Sequence, residues 1–282
     1  MTAAGATLHL VATPIGNLGD LTPRAVEVLR GAALVCCEDS RRTGRLLQHA
    51  GIAAPRLAVC NDHTELSRVS EVLETLAAGH DVALVTDAGT PAISDPGERL
   101  VSAAIDAGHR VSVVPGPMAA VAALVISGLP TSRYVFEGFL PRSGRERARR
   151  LVEIAAEPRT VVIYEAPHRI VRTIDDLAEA CGEERQVVLA RELTKLYETV
   201  TRGSLGSIEI GEPRGEYVIV LAGRASPAEP PDDDTIRRAL KSQLDAGATR
   251  RDAAAAVAGQ LGVPKRTAYA LATALGGSPG ST

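Results

Sequence analysis

Tryptophan is absent from this chain of 282 residues, and only seven residues are aromatic. A core built around large rings is therefore excluded, and the interior must consist mostly of Val, Leu, Ile and Ala. These residues belong to an apolar fraction of 45%. A chain of this length and composition can bury a sizeable core and form two ordinary domains.

Cysteines are few, and the four present, Cys36, Cys37, Cys60 and Cys181, show no C-x-x-C spacing. This pattern indicates reduced, buried thiols. No run approaches the roughly 18 apolar residues that a membrane span needs, and the N-terminus lacks the basic start and long apolar segment of a signal peptide. We therefore expect a cytoplasmic protein that has no membrane partner.

Lysine is scarce, with three lysines against 28 arginines, and the net charge of −3 predicts on average no affinity for nucleic acid. The net charge of the whole chain hides a difference in charge between its two parts. From Thr235 onward seven cations face two carboxylates, which gives a local charge of +5 and leaves −8 for residues 1–234. A basic C-terminal module on an acidic body suggests polyanion binding.

The first half of the chain alternates between short apolar runs and helical segments. Thr22 and Pro23 are typical of a helix N-cap and first helical position, which predicts a helix to about Arg30. Strands are predicted over residues 8–12, 34–38, 82–86 and 110–114, with further helices around residues 43–50, 97–107 and 118–126. This order predicts parallel β-α-β units with helices on both faces.

Gly128 and Pro130 interrupt the pattern, and a second series follows. Strands are predicted at 134–136, 160–164, 186–190 and 216–221, with helices at 145–156 and 168–180. The resulting domains are an N-terminal α/β domain (1–130), a second α/β domain (131–224), an acidic proline-rich linker (225–234) and a helix-turn-helix module with a tail (235–282).

The helix-turn-helix prediction rests on helical periodicity at 235–244, 248–261 and 265–275. Thr249 is a plausible N-cap, with Asp252 in the capping-box position, and Pro264 could open the last helix. Cations at the turn and on the first helix would suit nucleic acid, and Lys265 and Arg266 are the candidates there. The alternative is a module that only packs or dimerises.

Three glycine- and proline-containing loops, at residues 13–20, 87–91 and 115–117, each follow an apolar run. Glycine permits close backbone approach, and ligands of open α/β sheets bind at the carboxyl ends of strands. One interpretation is a nicotinamide enzyme, because Asp39 lies about twenty residues beyond Gly19. Pro14 and Asn17 stand where that fingerprint needs glycines, however, and several such loops suit a compact cofactor better than a dinucleotide.

Seven ordered motifs carry a family resemblance: VATPIGNLGD (11–20), EDSR (38–41), VTDAGTPAISDPG (85–97), PGP (115–117), GFLP (138–141), YEAPHR (164–169) and RELTK (191–195). Together they resemble the branch of the tetrapyrrole-methylase superfamily that methylates the 2′-hydroxyl of a cytidine in small-subunit ribosomal RNA. The resemblance spans residues 8 to about 223, and the family also ends in a helix-turn-helix. Gly89-Thr90-Pro91 replaces a Gly-Asp-Pro frequent elsewhere in the superfamily, which favours the ribosomal RNA branch.

The resemblance implies a class III methyltransferase: two α/β domains of the tetrapyrrole-methylase type with a small C-terminal all-α module, a homodimer, and S-adenosylmethionine in the cleft between the domains. Carried onto this sequence, the cofactor contacts are Pro14, Ile15, Asp87, Gly89, Thr90, Pro91, Ile93, Gly116, Pro117, Met118, Ala119, Ala120 and Tyr164. Methyl transfer needs in-line placement rather than a metal or a covalent nucleophile.

A neutral ribose hydroxyl is a poor nucleophile, so a base or a cation that favours the alkoxide would help. Lys195 is our first candidate, because burial can lower the pKa of a lysine into a useful range. The acids Glu38, Asp39 and Glu165 are further candidates for catalysis. The alternatives are a surface lysine in an ion pair and acids that solvate a loop.

Cations and histidines near the predicted cleft form the candidate RNA-binding set. Five arginines at 142–150 face only Glu146 nearby, on a loop that we expect to be mobile over the cleft, and cationic contacts to phosphate dominate nucleic-acid affinity. The alternative for these arginines is a solvated helix face, and the alternative for His63 is an ordinary loop residue. The set is Arg41, Arg42, His63, Arg142, Arg145, Arg147, Arg150, His168, Arg169, Lys265 and Arg266.

The resemblance therefore implies an S-adenosylmethionine-dependent 2′-O-methyltransferase acting on a cytidine in the decoding region of small-subunit ribosomal RNA, within the assembled subunit. Three alternatives stay open at this point. They are a tetrapyrrole-type small-molecule methyltransferase, a nicotinamide-dependent oxidoreductase and a non-catalytic nucleic-acid-binding regulator.

Overall fold

The computed structural model describes residues 5–53, 55–61, 63–225 and 231–275. The chain forms two compact units, Met1–Arg224 and Ala225–Thr282. Within the described ranges, no helix is long and apolar enough to cross a membrane. The first unit holds two five-stranded sheets, so the predicted division near residue 130 separates two sheets of one unit.

The first sheet is entirely parallel, as the alternation of the sequence predicts, with strand order β3-β2-β4-β1-β5. Its strands are β1 (Thr7–Val11), β2 (Leu34–Cys37), β3 (Arg56–Val59), β4 (Val82–Leu84) and β5 (Arg110–Val114). Its helices are α1 (Pro23–Gly31), α2 (Ser40–His49), α3 (Glu65–Ala77) and α4 (Glu98–Asp106). Thr22 caps α1 as predicted, because its hydroxyl accepts from the Ala25 N–H at 3.1 Å.

Strand alternation divides the core of this sheet between its two faces. Leu34 and Cys36 pack with α3 and α4, whereas Val35 and Cys37 pack with α1 and α2. Each fully buried leucine contributes on the order of 1.5–3 kcal/mol. The four cysteines are free, as predicted, and burial raises the pKa of the Cys36 and Cys60 thiols to about 12, so these two do not serve as nucleophiles near neutral pH.

The second sheet is mixed, with strand order β6-β7-β10-β8-β9. Its strands are β6 (Tyr134–Phe139), β7 (Thr160–Glu165), β8 (Gln186–Arg191), β9 (Thr199–Ser204) and β10 (Tyr217–Leu221). The parallel pairing of the first sheet continues here only between β6 and β7, because β10 lies antiparallel between β7 and β8, and β9 lies antiparallel to β8. Parallel neighbours need a crossover of about a dozen residues or more, and only residues 192–198 separate β8 from its neighbour β9.

Three helices cover the second sheet: α5 (Ala119–Ser127), α6 (Gly144–Ala156) and α7 (Ile170–Cys181). Although α5 follows the first sheet, it buries Ala120, Ala123 and Leu124 against one face of the second, beside Val218 and Val220. The opposite face packs against α6 and α7. Helix α5 therefore connects the two sheets along the chain while packing on the second, and a cleft lies at the strand ends.

The C-terminal unit consists of α8 (Asp233–Asp245), α9 (Arg250–Leu261) and α10 (Lys265–Ala274). Thr249 caps α9 as predicted, accepting from the Asp252 N–H at 3.2 Å. Asp232 caps α8 and therefore belongs to the helix rather than to the predicted linker. Residues 226–230 of that linker lie outside the described residues.

Candidate active site

A cavity of about 440 Å³ lies at the strand ends, between the two sheets of the first unit. The wall from the first half consists of Ile15, Glu38, Arg42, Asp87, Ala88, Gly89, Thr90, Ile93, Ser94, Asp95, Met118 and Ala119. The wall from the second half consists of Phe139, Tyr164, Glu165, Ala166, Pro167, Ala190, Leu193, Glu216, Tyr217 and Val218. This volume suits a ligand of cofactor size.

Backbone hydrogen bonds fasten the predicted loops to one another beside the cavity. The Thr13 N–H donates to the Gly89 carbonyl at 2.8 Å, and the Gly89 N–H donates back to Thr13 at 3.1 Å. The Thr90 hydroxyl donates to the Pro117 carbonyl at 3.2 Å. Gly89 has a φ of +90°, a conformation that side chains rarely adopt, so its glycine is a backbone requirement.

Two loops at the cavity hold non-glycine residues in the left-handed region. They are Ala92 and Ser94 after β4, and Glu192 and Thr194 after β8, with φ between 52° and 66°. Each costs on the order of 1–3 kcal/mol, so the surrounding structure must impose it. Such strain clusters at functional sites, and here both loops meet at one cavity.

Of the predicted cofactor contacts, eight line the cavity: Ile15, Asp87, Gly89, Thr90, Ile93, Met118, Ala119 and Tyr164. Pro14 lines a second cavity instead. Pro91, Gly116, Pro117 and Ala120 are absent from the described walls of both cavities and lie in supporting positions. Gly116 packs closely on the Ala12 side chain, and the Ala120 N–H donates to the Tyr164 hydroxyl at 3.1 Å.

Tyr164 is fixed from several directions at the centre of the cavity. Its ring contacts Phe136 edge-on at 5.0 Å and Phe139 at 5.6 Å, measured between ring centroids. Burial raises the pKa of the Tyr164 hydroxyl. This phenol therefore stays neutral near neutral pH and acts as part of a wall.

Two predicted catalytic acids occupy different positions at the end of β2. Glu38 lines the cavity and accepts from the Thr86 hydroxyl at 3.4 Å. Asp39 caps α2 and pairs with Arg41, and those hydrogen bonds hold its pKa below the usual range. Asp39 is absent from the described cavity wall, so a role as proton acceptor is corrected to a capping role.

The third acid, Glu165, has a side chain that is completely buried. Its carboxylate accepts from the Ala166 N–H at 2.9 Å and the Thr173 hydroxyl at 2.6 Å, and it pairs with Arg169 at 3.1 Å. A carboxylate with three donors has little capacity left for a substrate proton. The prediction of catalysis by Glu165 is therefore corrected: this residue ties β7 to α7.

Lys195 is absent from the described walls of both cavities, and two carboxylates hold it beside the first one. Its ammonium donates to Glu192 at 2.8 Å and to Glu216, which lines the cavity, at 3.0 Å. Partial burial lowers the pKa of Lys195, but the bonds to the two carboxylates outweigh it and raise the pKa above its ordinary value. The expected lowering is thus wrong, and Lys195 is an ammonium near neutral pH.

The loop that begins at Thr13 presses against this lysine. A side chain on Gly16 would collide with Lys195 Cγ, and the Asn17 N–H donates to the Thr194 hydroxyl at 3.1 Å. Glu192 also accepts from the Glu216 N–H at 2.9 Å. The two halves of the unit therefore hold Lys195 in a fixed place.

The segment 61–65, which contains the predicted RNA-binding residue His63, has a structural role at its two ends. Asn61 accepts from the N–H groups of His63 and Thr64, and the buried Glu65 accepts from three N–H groups at the start of α4. His63 is exposed, and Asp62 lies outside the described residues. The buried Glu65 carboxylate caps the start of α4, which explains the acidic residue at the end of this segment.

Two arginines of the predicted RNA-binding set are committed to internal contacts. Arg147 is 4% exposed, and its guanidinium bonds to Asp176, Thr173 and the Pro141 carbonyl. Arg169 pairs with Glu165 and donates to the Leu140 carbonyl. Because both guanidinium groups already have partners, we withdraw both residues from the RNA-binding set. These bonds also hold the 138–141 segment, against the expectation of a mobile loop.

The remaining members of that set are accessible to different degrees. Arg150 is partly buried and pairs with Glu137 and Glu153, while Arg42 pairs with Asp87 at 3.3 Å. Burial raises the pKa of Asp87, and Arg42 only partly offsets this. The others are exposed: Arg41, His63, Arg142, Arg145, His168, Lys265 and Arg266.

A second cavity, of about 490 Å³, adjoins the first through Arg42 and Asp87, which line both. Its other lining residues are Thr13, Pro14, Leu18, Thr43, Arg45, Leu46 and Thr86. Two arginines at its wall make it the more basic of the two cavities.

The residues that the sequence did not reveal come mainly from the second sheet. Ala190, Leu193, Glu216, Tyr217 and Val218 follow from the position of β10 between β7 and β8. Glu216 and Tyr217 are the first two residues of the predicted strand at 216–221, so nothing in the sequence distinguishes them from the apolar residues that follow. One residue could have indicated this wall from the sequence: Leu193, which lies within the RELTK motif.

The family model for Tetrapyrrole (Corrin/Porphyrin) Methylases matches residues 7–209. The chain belongs to the tetrapyrrole methylase family. In that family, the chain is 46% identical over 274 residues to "Ribosomal RNA small subunit methyltransferase I" of Synechocystis sp., covering 95% of this chain and 98% of the relative. It is 43% identical to the protein of the same name from Escherichia coli O157:H7, covering 93% of each chain.

Solved structures show the same tetrapyrrole methylase fold. The methyltransferase CobJ matches with a TM-score of 0.60 at 21% identity, over 80% of this chain and 97% of that chain. Uroporphyrin-III C-methyl transferase from Thermus thermophilus, complexed with S-adenyl homocysteine, matches with a TM-score of 0.54 at 20% identity, over 77% and 97%. The two-sheet architecture and the predicted α/β fold class are thus confirmed, and the interpretation as a nicotinamide enzyme is set aside.

Proposed function

We propose that this protein transfers a methyl group from S-adenosylmethionine to the 2′-hydroxyl of a cytidine in the decoding region of small-subunit ribosomal RNA. The observation that carries this proposal is near full-length similarity to relatives named as ribosomal RNA small subunit methyltransferases. Departure from Gly-Asp-Pro at Gly89-Thr90-Pro91 supports the same branch of the family.

The first cavity fits the cofactor in size and in charge. Carboxylates of Glu38, Asp87, Asp95 and Glu216 are at its walls, against the single cation Arg42 among the described lining residues. An acidic wall favours a positively charged sulfonium. Ile15, Ile93 and Val218 supply apolar surface for the rest of the molecule.

Charge supports an approach of RNA from outside this acidic cavity. Phosphates are repelled by the carboxylates of the wall, whereas Arg142 and Arg145 at the start of α6 are exposed. The second cavity, with Arg42 and Arg45, offers a cationic surface next to the first. Backbone phosphates would bind these cations while one ribose enters the first cavity.

When bound, S-adenosylmethionine supplies an electrophilic methyl group on its sulfonium. Lys195, held as an ammonium by Glu192 and Glu216, would stabilise the alkoxide character that develops on the ribose oxygen. Glu38, which has one weak hydrogen bond and faces the cavity, is the acid placed to accept the proton. Tyr164 and the 87–97 loop hold the ligand in line.

We further propose that the substrate is the assembled small subunit, that the reaction takes place in the cytoplasm, and that the protein acts as a homodimer. Support for the dimer comes from exposed apolar side chains. Val121 and Val125 are four residues apart on α5, and Leu196 and Tyr197 follow Lys195. Exposed apolar patches of this kind mark interfaces.

The test is a comparison of three purified substrates: small subunits and free small-subunit RNA from a strain that lacks the gene, and a tetrapyrrole. We expect methyl transfer to one ribose of the assembled subunit, mapped by resistance of the adjacent phosphodiester to alkali. Transfer to the tetrapyrrole alone would refute the proposal, and transfer to free RNA alone would refute the assembled-subunit part. Light scattering at several protein concentrations tests the dimer.

A further inference from the structure

Tyr217 is a buried phenol at the cavity, and the described residues give its hydroxyl no hydrogen-bond partner. The residue is 3% exposed, and it lines the first cavity. Buried hydroxyls nearly always have a partner, because an unpaired one costs stability. A ligand that supplies an acceptor would resolve this.

A second unpaired donor lies next to Tyr217 in the sheet. Arg191 on β8 is directly opposite Tyr217 on β10, and its buried Nε likewise has no partner among the described residues. Directly opposed residues project from the same face of a sheet. The same row contains Glu165 on β7, opposite Tyr217 on its other side, but that carboxylate already accepts from Ala166 and Thr173 and pairs with Arg169. An arginine can only donate, and a tyrosine hydroxyl can donate, so the two unpaired groups match a ligand rich in acceptors.

The face on which Tyr217 lies separates it from the wall assigned to the cofactor. Along β10, Tyr217 and Ile219 pack on the side of α6 and α7, whereas Val218 and Val220 pack on the side of α5 with Met118 and Ala119. The cavity thus wraps around the end of the sheet. Its α5 side carries the predicted cofactor contacts, and its other side carries Tyr217.

The Tyr217 side of the sheet is also the side covered by the arginine-bearing helix α6. A nucleotide that enters from Arg142 and Arg145 would meet this part of the cavity. We propose that the Tyr217 hydroxyl binds the base of the target nucleotide by donating a hydrogen bond to its acceptor edge, an inference that rests on the proposed function. Cytosine presents two acceptors there, O2 and N3.

The test uses Tyr217→Phe, which removes one oxygen and keeps the ring, with Tyr134→Phe as the control because Tyr134 is an exposed phenol on the same sheet. Three quantities are measured: the dissociation constant for S-adenosylhomocysteine, kcat/KM for methylation of small subunits, and the melting temperature of the protein without ligand. We expect an unchanged dissociation constant, about a tenfold lower kcat/KM, and an equal or higher melting temperature. The control should match the parent in all three.

Each other outcome overturns the inference. Weaker S-adenosylhomocysteine binding would assign the phenol to the cofactor, and unchanged kcat/KM would leave it without a ligand role. A lower melting temperature in Tyr217→Phe would show an internal partner. A parent protein that binds S-adenosylhomocysteine but methylates no subunit would refute the proposed function itself, and with it this ligand.

Discussion

At the scale of single residues, the charge on Lys195 decides which role it can have. Two carboxylates raise its pKa, so it is protonated near neutral pH and serves as a fixed cation rather than as a base. We expect Lys195→Met to lower kcat by about two orders of magnitude, roughly 2.7 kcal/mol, with cofactor affinity nearly intact. Lys195→Arg should keep part of the activity, because arginine retains the charge.

The pH profile provides an independent check on Lys195. Because its pKa is raised, deprotonation lies above the physiological range, and the profile of kcat should show no loss of activity from this group between about pH 6 and 9. Lys241→Met, at an exposed lysine of α8, is the matched control and should retain the parent kcat, because it removes one cation of the C-terminal unit and can change only KM. Parent-like methylation by Lys195→Met would reduce the lysine to a structural ion pair.

Gly89 offers a second prediction at this scale. A Cβ there would touch Ile15 at 3.5 Å and the Pro117 carbonyl at 3.8 Å, and φ of +90° disfavours any branched side chain. We expect Gly89→Val to abolish cofactor binding in calorimetry. Gly108→Val, also at positive φ but with open space around it, should lose stability and keep cofactor affinity. Undiminished affinity in a folded Gly89→Val protein would exclude this loop from the site.

Residue types in the sequence indicated the region of the site better than the role of each residue. Glu165, Asp39 and Arg147 all have side chains suited to catalysis or RNA contact, yet each is used by a neighbour in the fold. The partners of Glu165 and Arg147 come from other elements of the fold. Asp39 caps α2, a helix whose start the sequence predicts three residues too late. A sequence shows a carboxylate, and only the fold shows how many donors it already has.

At the scale of elements, the parallel sheet was predictable and the mixed sheet was only partly so. Buried central strands such as β4 and β10 are apolar throughout and therefore stand out in the sequence. The edge strands β3 and β9, which were not predicted, have few buried residues. β10 pairs with β7 and β8, which are distant from it or separated from it by β9 in the sequence. No local sequence pattern therefore predicts the cavity wall that this pairing builds.

Helix α6 illustrates how one element divides its arginines between packing and solvent. We expect Arg142→Glu combined with Arg145→Glu to spare cofactor binding and to reduce the slope of log affinity against log salt by about 1.5 to 2. Filter binding to small-subunit RNA at several salt concentrations measures this slope. An unchanged slope would assign both arginines to a solvated helix face.

Arg147→Ala on the same helix should behave in the opposite way. Its removal leaves Asp176 and Thr173 without their buried partner, which should cost about 3–5 kcal/mol of stability. Denaturant unfolding measures this loss, and the salt slope of RNA binding should stay as in the parent while the protein is folded. A stable Arg147→Ala protein with a reduced slope would return this arginine to the RNA surface.

At the scale of the whole molecule, the boundary between the two compact units lies close to the point in the sequence where the local net charge becomes positive. The four cores of the first unit use residues up to Leu221, and a separate core around Ile236, Leu240 and Val257 belongs to the C-terminal unit. The charge of +5 at residues 235–282 lies in this second unit, whose net charge over residues 225–282 is +1 because six carboxylates offset seven cations. Each unit therefore has its own hydrophobic core, and they differ in the sign of their charge.

This division predicts the result of truncation after Arg224. Both sheets and every residue of the first cavity remain, so the shortened protein should fold and bind S-adenosylmethionine within about twofold of the full chain. Truncation removes seven cations and six carboxylates, a net charge of +1, and with them the local charge of +5 at residues 235–282. Loss of these cations should lower kcat/KM on small subunits by about tenfold at moderate salt, and less at low salt, where the remaining arginines suffice. Equal kcat/KM at both salt concentrations would instead make the C-terminal helices a packing or dimerisation element, and light scattering of the truncated protein would then separate those two roles.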